Sequence, residues 1–312
     1  LFLCPVLALL AMAVFALAVR RIFDRPTALL AALLLTANVG QVWFARLTAA
    51  EIPAQLFLWS AVYAYTVDCR PGSRGYGPMT GLFLLAACLA HISLLIAVPA
   101  FVAVSGWRLL REPSRHTALT FAAIAAALAL SWLYNTIQAP AYINLTHYAP
   151  ALLHVPLLPL TLAAATGMAA LVISKRARKI AAALLNDRRL RRATALGLVA
   201  LALYAWLLRP LAAPSAAAEA EHLKRMLAAS NAFADMTLFL SVPGLLLAIA
   251  GAVILLVRTT GPASALPWLT IVGCSLILFH DKRIEPFYMF TFRRFIPVVL
   301  PGLVLFLAVG LT

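Results

Sequence analysis

Ten apolar runs divide the chain, at about 1–19, 27–43, 52–67, 79–110, 117–134, 151–173, 194–208, 236–257, 263–279 and 295–312. They are continuous, with no alternation of apolar and polar residues, which selects helices over strands. In a bilayer no water satisfies the backbone, so a spanning segment has to be a helix or part of a closed barrel. Only 11% of the 312 residues are charged and 64% are hydrophobic, with a mean hydropathy of +0.97. A soluble domain carries about a quarter charged residues. The expected fold class is therefore an all-α polytopic membrane protein, one membrane module over 1–312 with no soluble domain. Several runs fall short of the ~20 residues that cross a bilayer upright. They predict tilted or short helices around a polar cavity.

The net charge of +15 does not point to nucleic acid in such a chain. Lys and Arg collect in cytoplasmic loops, and that rule also decides the one ambiguous run. As a single span, 79–110 leaves the bases evenly divided. As a tight hairpin with its tip at Ala90–Ser93, it leaves Arg46, Arg209, Lys224, Arg225, Lys282, Arg283, Arg293 and Arg294 on one side. The other 17 of the 25 Lys and Arg gather opposite, including Lys175–Arg192. The hairpin gives about 11 membrane segments, the C-terminus in the cytoplasm and Leu1 outside. A start outside predicts a further span upstream. The expected location is the plasma (inner) membrane. Cys4, Cys69, Cys88 and Cys274 are scattered and show no CxxC spacing, so neither a disulfide framework nor a zinc site is expected.

Six of the ten acids and five of the six histidines fall on the outer side in this topology. Every charge lies in a loop or at a span end, unlike the mid-membrane charges of ion-coupled transporters. In Trp43–Phe57, Arg46 and Glu51 stand five residues apart across a tight turn, and Pro53 suits the first turn of the next helix. They read either as an interfacial ion pair with Trp43 in the aromatic belt, or as supports of a cavity. Asn135–His154 reads as an outer loop and Ser215–Met236 as a helix lying on the surface. The stretch His280–Pro301 is basic although it lies outside, so topology does not explain it. Arg293 and Arg294 at the start of the last run are suited to a phosphate, or snorkel to lipid headgroups. His280 and Asp281 alone make a poor metal site.

Arg20–Tyr65 resembles the third and fourth membrane helices of the GT-C glycosyltransferases, in the protein O-mannosyltransferase-like branch. A basic turn, a short helix, an Arg and an acid five residues on recur there, matched by Arg46 and Glu51. Gly81–Arg111 is similar to the next hairpin of that family, with His91 as the one match in its turn. Phe292–Ala308 is similar to the family's late Arg- and Pro-marked entry into a span.

The resemblance implies an inverting hexosyl or pentosyl transferase. It would move a sugar from a polyprenyl-phosphate carrier to a protein, lipid or glycan acceptor on the non-cytoplasmic side. Arg293 or Arg294 would stabilise the departing lipid phosphate, and Arg46, Glu51 and His91 would line or support the cavity. The catalytic base, a carboxylate that deprotonates the acceptor hydroxyl, is expected upstream of Leu1, in a first outer loop beyond a first helix. Relatives differ in using a divalent metal, so the resemblance leaves a metal cofactor open. The competing readings are a lipid-linked glycan transporter or flippase, favoured by charges within spans or repeat symmetry, and a non-catalytic membrane scaffold subunit.

Overall fold

The computed structural model describes residues 3–47, 50–70, 72–73, 75–138, 187–208, 233–258, 261–280 and 295–312. Among them the regular structure is helical: α1 (Leu3–Ile22), α2 (Arg25–Ala37), α3 (Val39–Arg46), α4 (Glu51–Asp68), α5 (Tyr76–Ala90), α6 (Val98–Arg111) and α7 (Arg115–Gln138). After the next described stretch begins come α8 (Arg188–Leu203), α9 (Thr237–Arg258), α10 (Pro262–His280) and α11 (Val299–Leu311). Six segments are long and apolar enough to cross a membrane, or seven if the bent pair α2–α3 counts as one. Large apolar side chains cover their outsides: Leu9, Leu29, Leu33, Leu196 and Leu238 are each at least 66% exposed. Water tolerates few such surfaces, and lipid is their natural solvent. The described chain is an all-α, multi-pass membrane protein.

The apolar run at 27–43 is bent, not straight. Asn38 takes extended angles (φ −72°, ψ 124°) and α3 leaves α2 at 62°. The Asn38 side chain explains why the break holds. Its Oδ1 accepts from the Gly40 and Gln41 amides at 3.0 and 3.4 Å, capping α3, while its Nδ2 donates to the Phe239 carbonyl at 2.8 Å. The cap at the other end of the pair is Asp24, which accepts from the Thr27 amide at 2.8 Å, with Pro26 in the first turn. Both are favoured cap chemistries.

The run at 79–110 is a hairpin, as the charge distribution predicts. Helix α5 ends at Ala90, His91 is extended (φ −150°, ψ 111°), and a 3-10 turn at Ile92–Ile96 leads into α6. Helices α5 and α7 lie side by side in the same direction. A Cβ added to Gly77 would meet Thr120, and one on Gly81 would sit 2.6 Å from the Ala123 carbonyl oxygen. Gly77 and Gly81 form a G-x-x-x-G pair, which lets two membrane helices approach to backbone contact. Helix α4 is the central pillar, packed against α1, α5 and α10. Its Phe15-facing Trp59 makes an edge-on ring contact at 4.7 Å. It is shorter than a comfortable span and carries polar groups along its length, which is what a helix buried within a bundle can afford.

Candidate functional site

Two buried polar clusters stand at opposite ends of α4. The first begins at Glu51, its first residue. Glu51 is fully buried, and a carboxylate in a first helical turn is favoured by the exposed amides there. Its Oε1 lies 3.7 Å from His91 Nε2, an electrostatic contact beyond hydrogen-bond length. His91 Nδ1 is 2.6 Å from Ser93 Oγ. One turn along α4, Gln55 exchanges hydrogen bonds of 3.0 and 3.3 Å with Gln41 of α3. One turn further, Trp59 Nε1 donates to the Pro297 carbonyl at 3.3 Å. Glu51, Gln55 and Trp59 thus form a stripe at i, i+4 and i+8 that ties α4 to the hairpin turn, to α3 and to the entry of α11.

Of the residues singled out in the sequence, Glu51 and His91 come together. Arg46 ends α3 at the same end of the bundle, exposed, while Glu51 turns inward to His91. Glu51, Ile52 and Ala54 of the first turn of α4 are buried, and among the described residues Glu51 meets His91 where the sequence offered an interfacial ion pair with Arg46. Arg293, Arg294, His147, His154 and most of Ser215–Met236 lie outside the described residues, as do Asp281 and the 174–186 stretch. Among the described residues no group of three His, Cys, Asp or Glu side chains could hold a metal.

Beside this end, α5 and α7 leave an open apolar groove of about 360 Å³, lined by Leu85, Leu89, Leu130, Leu133, Tyr134 and Ile137. Leu89, Leu130, Leu133, Tyr134 and Ile137 are exposed, so the groove opens on the outer surface of the helices, and Leu89 lies two residues before His91.

The second cluster closes the opposite end. Asp68, the last residue of α4, is fully buried. Arg108 of α6 reaches it twice, with Nη1 on the Asp68 carboxylate and Nη2 on its backbone carbonyl. From α7, Thr120 Oγ1 donates to Asp68 Oδ2 at 2.9 Å and His116 Nε2 lies 2.8 Å from Oδ1. Arg108 also sits 6.0 Å above the Tyr65 ring. In the sequence Arg108 stands at a span end, where a base serves topology by default, and Asp68 carries no motif. The legible sign was an acid on the side of the bundle that otherwise gathers bases.

Cys69, just past α4, borders this cluster. Burial pushes its thiol up to about 11, a shift that the nearby Arg108 only partly opposes. At pH 8 it therefore carries about 100-fold less thiolate than an ordinary cysteine. Iodoacetamide should alkylate it slowly in the folded protein, and progressively faster as pH rises towards 11. Labelling at pH 8 as fast as free glutathione would contradict this burial.

No family model, curated protein or solved structure matches the chain.

Proposed function

We propose that the chain is a membrane glycosyltransferase that takes its sugar from a polyprenyl-phosphate donor on the non-cytoplasmic side. The observation that carries the reading is the meeting of Glu51 and His91 at one end of the bundle, beside an apolar groove on the outer surface of the helices. A donor with a long apolar tail and a polar head needs these two surfaces in contact. Three further points support it. Arg46 shares that end. The Trp59–Pro297 hydrogen bond holds the entry of α11 against α4, and Arg293 and Arg294 stand four and three residues before Pro297 in the sequence. The resemblance to the GT-C branch rests on these same residues. In this reading the end that carries Glu51 and His91 faces away from the cytoplasm and the C-terminus lies inside, which the skewed distribution of Lys and Arg supports.

In this reading Arg293 or Arg294 neutralises the phosphate that leaves, and Glu51 with His91 keeps the cavity polar and shaped. The test is donor turnover. Membranes carrying the full natural chain should release polyprenyl phosphate from a labelled polyprenyl-phosphate sugar. Arg293→Ala and Arg294→Ala together should cut kcat/KM by about 100-fold or more, the cost of losing charge stabilisation of a leaving group. Unchanged turnover in the double variant, or no turnover of any hexosyl or pentosyl donor by the natural chain, would overturn the reading.

A further inference from the structure

We propose that Glu51, His91 and Ser93 form a relay that makes Ser93 a nucleophile towards long-chain acyl esters. This goes beyond sugar transfer and does not depend on it. An acid, an imidazole and a hydroxyl in sequence are the parts of an activated serine: the base touches the nucleophile and a third group orients the base. Here the nucleophile–base distance is 2.6 Å. The orienting carboxylate is 3.7 Å from the other ring nitrogen, loose in the way that substrate-free sites often are.

Two features separate the arrangement from a serine that merely bonds a near neighbour. The carboxylate comes from another helix, forty residues away in sequence, and it faces the ring nitrogen that Ser93 leaves. Access also runs in the required order. Glu51 is fully buried, the His91 side chain is 16% exposed, and Ser93 is partly exposed. The orienting acid is dry and the hydroxyl is reachable. With the imidazole hydrogen on Nε2, facing Glu51, Nδ1 is free to accept the Ser93 hydrogen. The two ring nitrogens are used in the reverse order to the serine proteases, which the chemistry permits because either one can relay the proton. The substrate class follows from the groove between α5 and α7, whose Leu89 edge adjoins the turn that carries His91. An alkyl chain in that groove delivers an ester to the turn.

The step balances without a co-reactant beyond water. Ser93 Oγ bonds to the ester carbonyl carbon and its proton moves to His91 Nδ1. The carbonyl–alkoxy bond breaks and the leaving alcohol takes that proton. Water then attacks the acyl-serine with His91 accepting its proton. The Oγ–acyl bond breaks, Ser93 regains its hydrogen, and a fatty acid departs.

The first experiment needs no sugar donor, so its failure is separate from failure of the transferase reading. The purified full chain is treated with a long-chain alkyl fluorophosphonate and the adduct is located by mass spectrometry. Modification is expected on Ser93 and lost in Ser93→Ala. His91→Gln should slow it at least about 100-fold, the contribution of a positioned base. Glu51→Gln, a change at a positioning residue, should slow it about 10-fold or more at an unchanged melting temperature. A short-chain probe should react more slowly than the long-chain one. An unmodified Ser93, or equal rates in the natural chain and His91→Gln, overturns the relay; equal rates for short and long probes overturn the acyl-chain assignment. Should Ser93→Ala or His91→Gln fold poorly, Ser93→Cys supplies the second measurement. Its alkylation near pH 7 should be fast with His91 present and slow with His91→Asn. Equal alkylation in the two backgrounds refutes the relay.

Discussion

Arg108→Ala should destabilise the protein by about 3–5 kcal/mol, the cost of leaving a buried charge without its partner. Asp68 is fully buried, and among the described residues the side chains left on it without Arg108 are Thr120 and His116. Neither replaces a guanidinium that holds both the carboxylate and the backbone carbonyl at the end of α4. The loss also unties α4 from α6, because this is where α6 is anchored to the pillar. Thermal unfolding in detergent, followed by loss of the monodisperse species, should show a fall of many degrees. Arg108→Lys should recover only part of it, since a lysine cannot form the two-pronged contact. The informative control is Arg108→Met combined with Asp68→Leu. An apolar pair of similar size should be far less damaging than Arg108→Ala alone, because no charge remains to be desolvated. If Arg108→Ala melts within about a degree of the natural chain, Asp68 is not buried as a charge and the hub is not structural.

The hub also shows where reading the sequence reaches its limit. The helices were legible because continuous apolar runs have one physical solution in a bilayer, and the hairpin at 79–110 was legible because charge bias distinguishes one crossing from two. The bend at Asn38 was not. A 62° break inside an apolar run depends on Asn38 finding the Phe239 carbonyl 201 residues later, and no local pattern encodes that meeting. Arg108 and His116 stand at span ends, where bases serve topology by default. Their convergence on Asp68 is a three-helix fact. Ser93 gave even less sign, since its interest comes from the pairing of His91 with Glu51 across the bundle. Glu51 and His91 could be named from sequence as residues of one end, but not as neighbours. The stripe of Glu51, Gln55 and Trp59 was written in the sequence at helical spacing and could have been found. Three large or polar residues on one face of a membrane helix need partners, and the structure supplies one for each.

Gly251→Leu should be as damaging as any substitution in the chain, for a reason unrelated to charge. Between membrane helices there is little hydrophobic drive, so association depends on close packing. Helices α9 and α11 meet at Gly251 and Gly310. A Cβ on Gly251 would lie 1.8 Å from the Phe306 carbonyl oxygen, and one on Gly310 would lie 2.5 Å from that of Leu247. The obstacle in each case is backbone, which no rotamer change can move aside. Helix α9 has to shift bodily, and α11 is the most deeply buried of the helices, with Val299–Ala308 all buried. That shift would loosen Asn38–Phe239 and Thr27–Thr312, the hydrogen bonds that tie α9 and α11 to α2. Even Gly251→Ala should cost about 1–3 kcal/mol as an overpacked core does, and Leu should prevent recovery of a folded species. Gly197→Ala in α8 is the matched control. It is exposed and nothing lies within 4 Å of its added Cβ. It should leave the melting temperature unchanged or raise it slightly, since alanine favours a helix by up to about 1 kcal/mol over glycine. The contrast isolates packing from helix propensity: if Gly251→Ala and Gly197→Ala behave alike, α9 and α11 do not touch through their backbones.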